Sequence, residues 1–170
     1  MQSQIQPLLF RHEGCKLTPY YCSKGRLTIG IGRNLDDNGL SADECAYLDT
    51  KGVDYSDIAK TEITEDIAIY LLQRDLEYIE RRLPELFTNW EELSGVRQDV
   101  LRDMAFNLGI KGLSWFTRMR KAIESDNWVD ATFEMLNSKW ARDVGNCPGE
   151  RAYTLAKMMI EDKYPRWVHD

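Results

Sequence analysis

Glu13 sits directly before Gly14, at the end of a run from Ser3 to Glu13 in which Ile5, Leu8 and Leu9 fall on one helical face. A carboxylate in the last turn of a helix meets the negative end of the backbone dipole, and its pKa rises. Partial burial raises it further. A carboxyl kept protonated near neutral pH is what general-acid catalysis needs. The plainer alternative is an exposed glutamate at a helix end. Downstream lies the run Leu27-Thr28-Ile29-Gly30-Ile31-Gly32. As an alternating strand it puts Leu27, Ile29 and Ile31 on one face and Thr28, Gly30 and Gly32 on the other. One hydroxyl beside two positions without side chains has two readings. It leaves bare backbone for close approach of a polar ligand, or the glycines relieve crowding in a twisted hairpin.

Cys15, Cys22, Cys45 and Cys147 lack CxxC spacing and the chain has only two histidines, so no metal site is expected. Four free thiols are the simplest state, with a Cys15–Cys22 bridge the alternative. Asn34-x-Asp36-x-Asn38-Gly39 echoes the start of a calcium loop, but Cys45 stands at the twelfth position where a bidentate glutamate belongs. A papain-like hydrolase would need His12 or His169 to meet a cysteine and is disfavoured. The tryptophans at 90, 115, 128, 140 and 167 read as core and lobe packing.

Few elements are available to position these residues. Ser3 is a candidate N-cap for a helix over residues 3–13. From Leu17 to Ile31, Pro19, a Ser23-Lys24-Gly25 turn and the change of period predict a β-hairpin, the one convincing sheet. Ser41-Ala42-Asp43-Glu44 has capping-box spacing and starts a short helix. Thr64-Glu65-Asp66 precede Ile67, Leu71, Leu72, Leu76 and Ile79, a long amphipathic helix expected to end before Pro84. Val96, Val100, Leu101, Met104, Ala105 and Leu108 keep helical spacing up to Gly109, a C-terminal stop. Further helices are expected near 115–124, 126–137 and 149–162. The expected fold is α+β and mostly α-helical, one domain over residues 1–170. It comprises a small hairpin lobe at 14–62, a connecting helix at 63–83 and a helical lobe at 84–170, with helix 3–13 packing near the helical lobe.

With 170 residues, 43% of them apolar, the chain can bury about 70% of its unfolded surface, enough for one core or two small lobes. The composition is that of a globular protein rather than a disordered chain. Its 28 acidic against 22 basic residues give a net charge of −6, which argues against nucleic acid and anionic membranes as partners. No apolar run is long enough to span a bilayer. The N-terminal segment has no basic region ahead of its short apolar run, so no signal peptide is expected and a soluble protein made in the cytoplasm is.

Eight residues separate Glu13 from Cys22 and five separate Cys22 from Thr28, a pattern that resembles the signature of the phage-type lysozymes, glycoside hydrolase family 24. That signature is Glu, then Asp or Cys, then Thr at the same separations. The resemblance continues through Glu13-Gly14, Tyr20, the TIGIG run, Ile63-Thr64, Val96-Arg97 and Phe106-Asn107-Leu108-Gly109. It extends to Trp115-Phe116-Thr117, Lys139-Trp140 and Pro148 with Arg151-Ala152, covering nearly the whole chain in order.

The resemblance implies a two-lobed lysozyme-like fold with its cleft between the lobes. It also implies hydrolysis of the β-1,4 bond between N-acetylmuramic acid and N-acetylglucosamine in peptidoglycan. Glu13 would be the general acid, and Thr28 would help hold a water that attacks from the opposite face with inversion. Arg151 matches an arginine that ion-pairs with the catalytic glutamate, which would lower its pKa against the dipole and burial. Tyr20 and Phe106 match cleft-lining positions, Asn34 and Asn107 would donate amides to N-acetyl groups, and Trp140 could lie near the cleft. Arg118, Arg120 and Lys121 read as a solvated helix face rather than a contact for cell-wall carboxylates.

No metal or cofactor is implied. A monomer is expected, held in the host cytoplasm until a separate holin-type pore releases it, with a weaker salt dependence than a basic enzyme.

Cys22 is the departure that matters most. A thiol with a pKa near 8.5 is mostly neutral at pH 7, and a neighbouring Glu13 carboxylate would hold it higher still. Three roles stand open: thiolate base, thiolate nucleophile with a covalent intermediate and retention, or passive spacer. The rival functions are a lytic transglycosylase, which Thr28 disfavours, and a catalytically inactive peptidoglycan-binding protein.

Overall fold

The computed structural model describes residues 3–169. Those residues form nine α-helices and one three-stranded antiparallel sheet. They divide into two compact units: a hairpin unit over residues 9–77, and a helical unit of residues 3–8 and 78–169. The boundaries fall inside two continuous helices, α1 (Ile5–Glu13) and α4 (Glu65–Leu86).

In the hairpin unit, β1 (Lys16–Tyr21) and β2 (Leu27–Gly30) pair through Tyr20↔Thr28 and Tyr21↔Leu27. Around Pro19 the register slips, so Lys16 stands opposite Gly30. The alternation expected through Gly32 stops at Gly30. Gly30 and Gly32 take φ of +62° and +70°, values other residues avoid, and turn the chain into β3 (Arg33–Asn34). At two residues, β3 is too short to show in a periodicity. A Cβ on Gly30 would stand 3.2 Å from the Ala68 Cβ on α4. Gly30 therefore relieves crowding against a helix and offers no open backbone to a ligand.

Behind the sheet come α2 (Leu35–Asn38) and α3 (Ala42–Thr50), the latter opened by the expected capping box. Ser41 Oγ accepts from the Glu44 N–H, and the Glu44 carboxylate accepts from the Ser41 N–H at 2.7 Å. Leu9, Ile29, Ile31, Leu48, Ile67, Leu71 and Leu72 are fully buried. Each contributes about 1.5–3 kcal/mol of apolar burial.

The helical unit takes the end of α4 with α5 (Gly95–Ser114), α6 (Thr117–Glu124), α7 (Trp128–Leu136), α8 (Lys139–Val144) and α9 (Arg151–Glu161). Its core holds Leu8, Leu83, Phe87, Val100, Leu101, Met104, Leu113, Met119, Met135, Leu155 and Met159. Pro84 lies inside α4 and does not end it. Proline there forgoes one backbone bond, but the fully buried Leu83 and Phe87 hold the last turn in place. Arg120 takes up the Leu86 carbonyl, left open by the end of α4, at 2.6 Å, so it is a structural bridge and not part of a solvated face. Helical geometry does stop at Gly109 (φ +73°), but the chain resumes a helix to Ser114. Trp115 departs from the expected packing role, being 75% exposed, whereas Trp90 and Trp140 are buried. No helix among the described residues is long and apolar enough to cross a membrane.

Candidate active site

Glu13 is the last residue of α1 and is half-buried. Helical bonding stops one residue later, where the Gly14 N–H closes on the Phe10 carbonyl at 3.0 Å and Gly14 takes φ of +70°. That conformation favours glycine and turns the chain directly into β1.

The hairpin then places three of the sequence-predicted residues together. Cross-strand partners share a face, so Tyr20 and Thr28 lie on the same side of the sheet. Cys22 follows β1 at the start of the turn, its N–H on the Arg26 carbonyl at 2.9 Å and its carbonyl taking the Gly25 N–H at 2.8 Å. That tight turn folds the backbone N–H groups of Lys24 and Arg26 back onto the Cys22 sulfur, and the Thr28 hydroxyl reaches it from β2. Burial by itself pushes the thiol up. The Arg26 and Lys24 N–H groups, the Thr28 hydroxyl and the nearby Lys24 ammonium outweigh it and leave the thiol below its ordinary value. The net direction is opposite to the upward push expected from a neighbouring Glu13 carboxylate. The missed groups are backbone donors, and no residue type announces them.

Thr28 is buried, and its one hydroxyl proton has two acceptors, the Arg26 carbonyl at 2.9 Å and the Cys22 sulfur. When the sulfur is a thiolate the proton points to it. When the sulfur is a thiol, S–H can donate to Oγ1 while Oγ1–H turns to the carbonyl. Thr28 thus accommodates both states without moving. Tyr20 completes the group. Burial first, then the charges of Glu13 and Cys22, push its phenol up, so it stays a neutral donor within electrostatic reach of both. The Lys16 ammonium lies 4.0 Å from its ring centroid, a cation–π contact the sequence did not suggest.

The other candidates have definite surroundings. Asn34 caps α2, its Oδ1 accepting the Asp37 N–H at 3.0 Å and its Nδ2 donating to the Asp37 carboxylate at 2.7 Å. In the same segment Asp36 accepts the Leu27 N–H at 2.8 Å. In the helical unit Asn107 accepts the Trp140 indole N–H at Oδ1, 3.1 Å away. An indole can only donate, so the Asn107 amide presents its own N–H groups elsewhere. Phe106 is half-buried against the helical core. Arg151 is buried and donates through Nε to Asp103 Oδ1 at 2.8 Å and through Nη2 to the Asp103 carbonyl at 3.3 Å. All four cysteines are free thiols. Among the described residues no group of three or more His, Cys, Asp or Glu side chains is arranged to hold a metal ion.

Residues 10–156 match the phage lysozyme family. The chain is 30% identical over 152 residues to probable T4-type lysozyme 1 of Dictyostelium discoideum, covering 86% of this chain and 89% of that protein. Probable T4-type lysozyme 2 of the same organism is 27% identical over 146 residues, 82% of this chain and 86% of that protein. The pre-baseplate central spike protein Gp5 of Enterobacteria phage T4 is 28% identical over 140 residues, which cover 78% of this chain but 24% of the spike protein.

Proposed function

Because the chain belongs to the phage lysozyme family, a family of lysozyme-type glycoside hydrolases, we propose that it cleaves the β-1,4 bond between N-acetylmuramic acid and N-acetylglucosamine in peptidoglycan. Glu13 gives its proton to the leaving glycosidic oxygen. A water attacks the anomeric carbon from the opposite face, and the Cys22 thiolate takes the proton that water sheds. The bond to the leaving oxygen breaks as the bond to water forms. One product carries a new reducing muramic acid end, the other a free 4-hydroxyl. Glu13 regains a proton and Cys22 loses one to solvent. Tyr20 donates toward the reacting groups. The wider setting we propose is lysis of a bacterial host, with passage to the wall through a separate holin-type pore.

The observation that carries this reading is the set of donors on the Cys22 sulfur. A spacer needs none. A thiolate base is favoured by them, because they hold the thiol below its ordinary value. The test is mass spectrometry of fragments released from purified Gram-negative peptidoglycan, with Glu13→Gln as control. Reducing muramic acid ends, absent in the control, are expected. Anhydro ends would make the protein a transglycosylase, and an absence of fragments would leave a binding role.

A further inference from the structure

Arg33 is the buried cation of the hairpin unit, 5% exposed. It stands in β3 opposite Ile29, one residue from the Thr28↔Asn34 pair. Its guanidinium ties three elements to that strand. Nη1 donates to Asp75 Oδ1 on α4 at 2.5 Å, and Nη2 donates to Glu44 Oε2 on α3 at 2.8 Å and to the Gly39 carbonyl after α2 at 3.0 Å. Nε is buried and has no hydrogen-bond partner among the described residues. Glu44 Oε2 is shared again with the Ser41 N–H.

The charges do not balance. One guanidinium faces two carboxylates in a place sheltered from water, and such a pair resists full ionisation. The groups facing Asp75 are Arg33 from β3 and Glu44 from α3. On its own helix Arg74 and Glu77 pair with each other at 2.7 Å, and Arg74 also reaches Asp43 at 3.7 Å. Burial raises Asp75, the Arg33 charge opposes that, and Glu44 raises it again, to about 6 in all.

We propose that Arg33 is a positioning residue for the Thr28–Cys22 pair, and that its clamp is one positive charge short and is most stable when Asp75 carries a proton. The folded chain then binds that proton more tightly than an unfolded one, where an aspartate titrates near 3.9. The extra stability is complete below about pH 4 and is lost as pH rises through about 6. The positioning role rests on the assignment of Cys22 and Thr28 above. Its test reads thiol chemistry and stability, not turnover, so it can fail while the hydrolase reading stands.

The experiment uses the intact chain. Asp75→Asn, which imitates the protonated carboxyl, is expected to raise Tm by several degrees at about pH 8 and by progressively less toward about pH 4. Arg33→Met is expected to slow alkylation of Cys22 by iodoacetamide several-fold at neutral pH, followed peptide by peptide by mass spectrometry. Arg33→Lys, which keeps a charge but loses the fork, is expected to fall between and serves alone if Arg33→Met does not fold. A lower Tm for Asp75→Asn at about pH 8 would overturn the charge-short clamp. Wild-type alkylation rates in a folded Arg33 variant would overturn the positioning role.

Discussion

The two units each bury an aspartate against an arginine, and the two are supplied very differently. In the hairpin unit Asp75 has Arg33 as its hydrogen-bond donor, and Arg33 is shared with Glu44. In the helical unit Asp99 is fully buried yet accepts four donors: Ser3 Oγ and the Gln4 N–H at 2.7 Å each, the Tyr164 hydroxyl at 2.6 Å and Arg102 Nη1 at 2.8 Å. Asp99 is the more deeply buried and has four donors; Asp75 has the one arginine it shares, and burial first, then Glu44, push it up against the Arg33 charge. Donors compensate a buried carboxylate for the water it has lost. The well-supplied carboxylate ties the start of α1 and the C-terminal segment to α5. The short-supplied one stands behind the strand that carries Thr28.

The largest expected effect breaks the well-supplied side. Asp99→Ala leaves three donors and part of Arg102 unmatched, and should cost about 3–5 kcal/mol by urea denaturation. A loss under about 1 kcal/mol would mean that depth matters more than supply. Next comes the site, where the Cys22 sulfur is supplied like Asp99, with Lys24 and Arg26 N–H groups and the Thr28 hydroxyl. Cys22→Asp puts a base of ordinary pKa near 3.9 among those same donors. Activity should be retained and the optimum of the pH–rate profile should move down. An inactive Asp variant would remove the base from the mechanism.

A smaller effect is expected from Tyr164→Phe. Burial and the Asp99 charge push that phenol up, so it stays a donor throughout the working range. Removing it takes one donor of four from Asp99, and should cost about 1–2 kcal/mol by thermal denaturation. Because three donors remain, the loss should stay well short of that for Asp99→Ala. A loss as large as that of Asp99→Ala would show the four donors to act as one unit.

What could be read in advance follows the range of the cause. The capping box at Ser41, the start of α4 after Thr64 and the break at Gly109 each depend on neighbours within one turn, and each is where the residues place it. The Ser23-Lys24-Gly25 turn likewise predicted the hairpin that brings Cys22 and Thr28 together. The partnerships were not visible. Arg33 meets Asp75 from 42 positions away, and Asp99 meets Tyr164 from 65. Glu44 was legible as a cap but not as a counter-ion. The direction of the Cys22 shift was hidden because backbone N–H groups set much of it, and every residue but proline has one. Pro84 misled for a related reason: its local cost is real, but the burial of Leu83 and Phe87 that outweighs it is tertiary.

The finest test of the comparison is Glu44→Gln. Glutamine can replace glutamate in a capping box, so α3 keeps its start. Its amide oxygen can still accept from Arg33, so the geometry of the clamp survives while one negative charge leaves it. If Asp75 is raised partly because Arg33 serves two anions, its titration should fall by up to about one unit, followed by the NMR shift of its carboxyl carbon. The stability difference between about pH 4 and pH 8 should shrink in step, because the folded and unfolded pKa values of Asp75 approach each other. Burial remains after the substitution, so the titration should stay above the ordinary value near 3.9. An unmoved titration would assign the whole shift to burial and leave the Glu44 charge without effect on Asp75.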